Sequence, residues 1–331
     1  MILRKKTFFL AIALVFVSGA ILFYTAQTKR TTLCIEVGHT RIKAAILPQK
    51  PTLQGLKNSK TFAYPSKPWL QQNLEKLFQK NRASPLYALL HKNPSAISLS
   101  IFGPIYDHSR YDLGKPHSIV PVNLKEVLEK ELGRELHIES DSVSWAIGAL
   151  EYLKLHSEKL PLPSLAITLG TGIGVALIEN ANSVVAIELW AKPIPLPRLE
   201  LLTDKRPAHR VFGKKYLDTL FKGEEFVDEG MISYSRTYNQ QLMACIEDLS
   251  AYLSDLFSIP ISSVIIGGGY SRFIDLSSEE REIRLLHPQK LSQEGLSPDI
   301  IQLLGCLRQA QKDPLHTWTY PPLRKIAVQD K

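Results

Sequence analysis

The sequence has little cysteine: Cys34, Cys245 and Cys306 are its only three, far apart and without a CxxC spacing. That excludes a disulfide framework and a zinc–cysteine cluster, so no zinc is expected. Each thiol reads as a small apolar residue inside a strand or helix. Beyond residue 30 the chain also lacks any block of like charge. Of its net charge of +8, +5 comes from Arg4, Lys5, Lys6, Lys29 and Arg30, and the other 301 residues carry +3. There is no basic stripe and no zinc-finger or RNA-binding signature, so no nucleic-acid partner is expected. Fixed-period repeats and low-complexity tracts are absent. What is there is ordinary for a globular protein: 331 residues, 44% apolar and 22% charged, enough for a sizeable core in two domains or two lobes.

Charge is also missing from Thr7 to Ala26, a run of 20 residues. As a helix it spans about 30 Å, the thickness of a hydrocarbon core. Basic residues flank both ends, and the run reads as a single membrane-spanning helix. Competing readings are a signal peptide cut near Ser18-Gly19-Ala20, a buried helix, and an upstream extension from a misplaced start. Three basic residues face two across the run, which leaves its orientation open.

Periodicity gives a coarse map of the rest. Thr31–Glu36 and Arg41–Leu47 read as a β-hairpin. Trp69–Gln79, Ala83–His91 and Leu124–Leu132 read as helices, with strands at Ala96–Phe102 and Glu135–Ile138. Val143, Ala146, Ile147, Leu150 and Leu153 follow helical spacing. Ser164–Leu169 and Val175–Glu179 form a second hairpin, and four prolines make Lys192–Pro207 a loop. Leu242 to Leu256 is a long helix face, and Ser263–Ile266 a strand. Ser297-Pro298 opens a last helix, which stops before Asp313-Pro314. The pattern is α/β with two similar halves.

Four constellations can carry chemistry. In Glu36-Val-Gly38-His-Thr40 a tight glycine turn exposes backbone N–H groups for phosphate oxygens, Thr40 adds a hydroxyl and Glu36 can hold Mg²⁺. In Gly170-Thr171-Gly172-Ile-Gly174 alternating glycines let a phosphate approach the backbone. Gly267-Gly268-Gly269 ends an apolar strand and leaves room for a nucleobase. Asp141, at a strand end before a helix, can take a proton from a substrate hydroxyl. Plain turns, a β-bulge hairpin and an N-cap are the structural alternatives. His39 reads as an exposed turn residue and Trp190 as packing.

In that order the four motifs resemble the actin-like ATPase and sugar-kinase superfamily, and within it the ROK family of sugar kinases and regulators. Leu169-Gly-Thr-Gly-Ile-Gly-Val-Ala-Leu177 is similar to that family's second phosphate loop. Ile101-Phe-Gly-Pro-Ile105 resembles its Gly-Pro turn, and Asn123–Leu132 with the following strand and Asp141 resembles its catalytic segment. The resemblance covers about residues 31–312. It implies a two-lobed actin-like (ribonuclease H-like) α/β fold, which here follows the one N-terminal membrane helix read from the uncharged run. The division is an anchor or signal segment at 1–30, lobe I at 31–141, lobe II at 142–312 and a C-terminal tail at 313–331.

The resemblance further implies ATP and Mg²⁺ as cofactors, with phosphoryl transfer to a hexose or amino sugar. Asp141 would be the base and Glu36 the metal-positioning acid. Gly38, Thr40, Gly170, Thr171 and Gly172 would hold phosphates, and Gly267, Gly268 and Gly269 would border the adenine. Gly103, Ser140 and Glu188 would face the sugar. Departures exist: Glu36 stands where such kinases carry Asp, Ser140 where they carry Asn, and Ile187-Glu-Leu-Trp190 where a Gly-Glu-x-Gly-His stretch belongs. The alternative is a catalytically degenerate, membrane-anchored sugar or nucleotide sensor or scaffold. An active kinase would place the globular part in the cytoplasm, and monomer and homodimer are both left open.

Overall fold

The computed structural model describes residues 30–320, except 39, 67–73, 75–76, 79–84, 104, 107–108, 111–121, 171, 190–193, 213–227, 275 and 277–281. The apolar run at 7–26 and the helix expected at Trp69–Gln79, apart from three of its residues, lie outside the described residues. Among the described residues no helix is long and apolar enough to cross a membrane.

Lobe I begins with a hairpin, β1 (Thr31–Val37) and β2 (Arg41–Pro48), followed by the short α1 (Leu53–Lys57) and β3 (Phe62–Pro65). Helix α2 (Pro85–Leu90) leads into β4 (Ala96–Ile101). Three two-residue strands, β5 (Ile105–Tyr106), β6 (Ser109–Arg110) and β7 (Val122–Asn123), form a small separate sheet. Helix α3 (Leu124–Leu132) leads into β8 (His137–Ser140). Asn123 caps α3 by accepting the Glu126 N–H at 3.2 Å, and Gly133 ends it in a left-handed conformation at φ 66°. The main sheet has the order β3-β2-β1-β4-β8, antiparallel through β3-β2-β1 and parallel beyond.

The chain then crosses into lobe II along α4 (Asp141–Leu155). A meander follows: β9 (Ser164–Leu169), β10 (Ile173–Asn180) and β11 (Ser183–Ile187). Helices α5 (Pro197–Leu202), α6 (Ala208–Val211) and α7 (Asp228–Phe257) precede β12 (Ser263–Gly267), a 3₁₀ turn at Gly269–Phe273 and β13 (Glu282–Leu286). The end of the described chain is α8 (Pro288–Gln293), α9 (Ile300–Gln309) and β14 (His316–Tyr320). The second sheet has the order β13-β12-β9-β10-β11-β14. Its first five strands repeat lobe I: a three-strand antiparallel meander, then two parallel strands added beside the meander's first strand. Strand β14 is an addition outside that repeat, parallel to β11, within the stretch read from sequence as a tail.

Helices α4 and α9 lie between the two sheets. Their apolar residues join Cys34, Ala45 and Leu47 of the first sheet and Ala166, Ala176, Ile178 and Ala186 of the second in one core. Both helices are buried around most of their circumference, as sandwiched helices must be. They cross with backbones in contact at Gly148 and Gly305. A methyl added at Gly305 would overlap the Ser144 carbonyl, with the carbonyl carbon 2.5 Å away, and one at Gly148 would overlap the Ile301 carbonyl. Two further cores fill the outer faces, one under α7 in lobe II and one under α2 and α3 in lobe I.

The proline-rich stretch read as a loop contains α5. Pro197 occupies the first helical turn, where it costs no hydrogen bond. The buried Asp248 of α7 accepts the free Arg198 and Leu199 N–H groups at 2.9 and 3.1 Å. Helix α9 starts later than Ser297-Pro298 suggests, with Asp299 at its N-cap position.

Candidate active site

Strands β1, β4 and β8 are parallel and in register, so Val37, Ile101 and Ser140 end side by side. That edge brings Glu36, Gly103 and Asp141 to one end of lobe I. The hairpin turn is closed by Gly38 N–H donating to the Arg41 carbonyl at 2.9 Å, and Thr40 is exposed beyond it. His39 lies outside the described residues.

Glu36 is not a free carboxylate. Its cross-strand partner is Lys43, and the ammonium donates to both Glu36 oxygens at 3.0 and 2.9 Å. The same ammonium lies 3.0 Å from Asp299 at the start of α9. Asp299 therefore serves Lys43 and makes no side-chain cap bond to its own helix. Burial pushes the Glu36 carboxyl up, Lys43 pulls it down, and the net effect is upward. Burial also lowers Lys43, but the two carboxylates outweigh it and hold the ammonium above the ordinary lysine range. Replacing Lys43 by methionine leaves two acids facing each other and is expected to cost about 2–4 kcal/mol in urea unfolding. Glu36→Gln added to that variant is expected to restore part of the loss.

Asp141 is the first residue of α4. Burial, then the negative charge of Glu36, push its carboxyl up to about 7, against the pull of the Ser142 and Asp141 N–H groups and of Lys43. Ser140, expected from the resemblance to touch a sugar, is instead fully buried. Its hydroxyl caps α4 through the Val143 N–H at 3.4 Å, which leaves Asp141 as the partly exposed group at this strand end. Gln302 of α9 donates 2.6 Å bonds to the Ser100 hydroxyl and the Asp141 carbonyl, tying α9 to the same turn.

The second hairpin closes with Gly170 N–H on the Gly172 carbonyl at 2.9 Å. Added methyls at Gly170 and Gly172 would meet open space, so both present bare backbone outward. Thr171 lies outside the described residues. Gly174 has another role: a methyl there would sit 2.5 Å from the Thr168 hydroxyl and 3.4 Å from the Ser142 side chain. Its absence lets β10 lie against the first turn of α4.

The third glycine group divides. Gly267 is buried under the Trp145 ring, and Gly268 (φ 93°) lies against the Leu169 backbone, where a methyl would be 2.7 Å from the Leu169 nitrogen. Both serve close packing instead of opening room for a base, and only Gly269 faces open space. Gly103 lies two residues past β4 at φ 90°, a conformation glycine favours. Glu188 follows β11 and is 8% exposed. Trp190 lies outside the described residues.

The first turn of α4 is thus the meeting point. Asp141 feels Glu36 and Lys43, Ser142 touches Gly174, and Trp145 covers Gly267. Lys43, Asp299 and Gln302 went unremarked in the sequence. Lys43 was legible, being paired with Glu36 by the hairpin register, whereas the two α9 residues reach the site only through tertiary packing.

This duplicated pair of sheets with crossing helices between them is the actin-like ATPase and sugar-kinase fold. A family model described as ROK family matches residues 32–185, lobe I and the meander of lobe II. Among solved structures, a candidate sugar kinase from Cytophaga hutchinsonii superposes with a TM-score of 0.54 at 15% identity, over 84% of this chain and 98% of that one. The inorganic polyphosphate/ATP-glucomannokinase of an Arthrobacter strain gives 0.48 at 18% identity, over 83% and 98%. A ROK family glucokinase from Streptomyces griseus, in complex with glucose and AMPPNP, gives 0.43 at 16% identity, over 83% and 98%. No curated protein matches the sequence.

Proposed function

We propose that the protein is a sugar kinase of the ROK type, moving the γ-phosphoryl group of ATP to a hydroxyl of a hexose or amino sugar. The observation that carries the reading is Asp141: a partly exposed carboxylate at a parallel strand end, held near neutrality by burial and by Glu36. A general base works best when its pKa lies near the working pH.

In this mechanism the sugar hydroxyl donates its proton to Asp141 while its oxygen attacks the γ-phosphorus. The bond to the β-phosphate oxygen breaks, and ADP leaves. The Gly38 turn and the bare backbone at Gly170 and Gly172 receive the phosphates, with Thr40 and Thr171 as hydroxyl donors. Gly269, the open member of its group, borders the adenine, and Gly103 and Glu188 face the sugar. Bound Mg²⁺ would neutralise charge on the transferred phosphoryl group. The donor set fits it indirectly: Glu36 and Asp141 supply the hard oxygens it prefers, but both Glu36 oxygens already accept from Lys43, so Glu36 suits contact through water.

The uncharged run at 7–26 supports a tether at the membrane, and kinase activity would require this domain on the ATP-containing side. Protection of the full-length protein from protease in intact cells, and its loss on lysis, would support that side.

The test is ADP release by the full-length protein with ATP, Mg²⁺ and a panel of hexoses and amino sugars, followed against pH. Turnover is expected with at least one sugar. Its kcat/KM is expected to rise about tenfold per pH unit below about 7 and then level, as deprotonated Asp141 becomes available. Among the described residues, the charged groups that act on Asp141 are Glu36 on β1 and Lys43 on β2. Nucleotide binding without turnover on any sugar would support the degenerate sensor instead.

A further inference from the structure

We propose that the C-terminal strand β14 is a strap that sets the sugar site, with Thr319 as its positioning residue. The inference rests on the sugar-kinase reading above for the identity of the ligand, but not for the geometry.

Strand β14 lies beyond the repeat shared by the two sheets and beyond the stretch that resembles the family. Its alternation gives it two faces. On one, Trp318 and Tyr320 stack edge-on against Phe257 of α7 at 5.6 and 6.0 Å, and the Tyr320 and Tyr252 hydroxyls lie 3.0 Å apart. This face anchors the strand in lobe II. On the other, two threonines reach across to lobe I. The Thr317 hydroxyl donates to Glu139 at 2.5 Å, and the Thr319 hydroxyl donates to the Ile105 carbonyl at 2.9 Å. Glu139 is itself buried and also accepts from the Ser140 N–H and from Gln309.

Each of these contacts falls within two residues of a group assigned to the site. Glu139 precedes Asp141 by two. Ile105 follows Gly103 by two. At the end of the strap, the Glu188 N–H donates to the Tyr320 carbonyl at 2.9 Å. The base and both sugar-facing segments, drawn from two lobes, are therefore indexed to one short strand. The phosphate turns at Gly38 and Gly170–Gly172 belong to other connections, β1 to β2 and β9 to β10. The strap should thus govern sugar recognition and leave the nucleotide alone.

Thr319→Val removes the hydroxyl at nearly constant shape, Thr319→Ala removes it without a second methyl, and Thr319→Ser keeps it. In the full-length protein, Thr319→Val and Thr319→Ala are expected to raise the KM for the sugar about tenfold, with the KM for ATP within about twofold. Thr319→Ser is expected to match the wild type. Amide hydrogen exchange at residues 105–106 and 187–189 is expected to quicken in the first two variants and not in the third. Sugar and ATP constants that move together or not at all, or serine behaving like valine, would overturn the strap. If the wild type turns over no sugar, the kinase reading fails and exchange alone decides: unchanged rates at those residues overturn the strap, and faster rates uphold it.

Discussion

Asp141→Asn is expected to lower kcat for sugar phosphorylation by about 10²–10⁴-fold while leaving ATP affinity within a few-fold. The amide keeps the size and position of the carboxyl at the start of α4 but cannot take the proton. The same variant is expected to be more stable than the wild type above pH 7. The native carboxyl titrates near 7 and the unfolded one near 3.8, so the native state binds more protons between those values. Stability from this group is therefore fully present below about 3.8 and declines as pH rises through 7. Asparagine carries no such penalty, and a gain of about 1–3 kcal/mol is expected at pH 8, vanishing near pH 4. Thermal unfolding of both proteins at the two pH values measures it. An inactive variant that is also less stable at pH 8 would assign Asp141 to the architecture instead of the chemistry.

Gly305→Ala is expected to cost about 3–5 kcal/mol or to prevent folding. The added methyl would enter the Ser144 carbonyl group, 2.9 Å from the Ser144 Cα, and backbone cannot swing aside as a flexible side chain would. Helices α4 and α9 would have to part, opening the core shared by the two sheets. Gly148→Ala drives the same contact from the other side and should cost a similar amount. Gly170→Ala is the informative contrast. Nothing lies within 4 Å of its methyl, so folding should survive, within about 1 kcal/mol, while the KM for ATP rises as the phosphates lose their approach. Urea unfolding of the three variants, beside their ATP kinetics, separates glycines that let helices cross from glycines that leave backbone bare.

Much of this arrangement was legible before any coordinates. Strand β9 and helix α3 fall at the bounds their patterns indicate, because an apolar run between turns and an amphipathic face carry their own limits. Strand β14 escaped notice because Thr-Trp-Thr-Tyr has no apolar run: its aromatic face finds Phe257 and its threonine face finds lobe I, and neither partner is near in sequence. Helix α5 was hidden by prolines, since the capping carboxylate of Asp248 comes from a different helix.

At the site, glycines gave the least certain guidance. Gly170 and Gly267 look alike in sequence, yet one faces open space and the other lies under Trp145. A missing side chain signals close approach without saying whether the neighbour is a ligand or the protein itself. Ser140 shows the same limit for a hydroxyl. Next to a strand-end acid it resembles a substrate contact, but the helix that starts one residue later claims it as a cap. Glu36 was read as a metal ligand from its place before a glycine turn. Its register partner Lys43 changes what that carboxylate can do.

In the proposed kinase the turns at Gly38 and Gly170–Gly172 serve one triphosphate in front of Asp141. A crystal structure of the full-length protein with a non-hydrolysable ATP analogue tests it most directly. The triphosphate is predicted to bridge the two turns with its terminal phosphate toward Asp141. An analogue bound elsewhere, or none bound at saturating concentration, would contradict it.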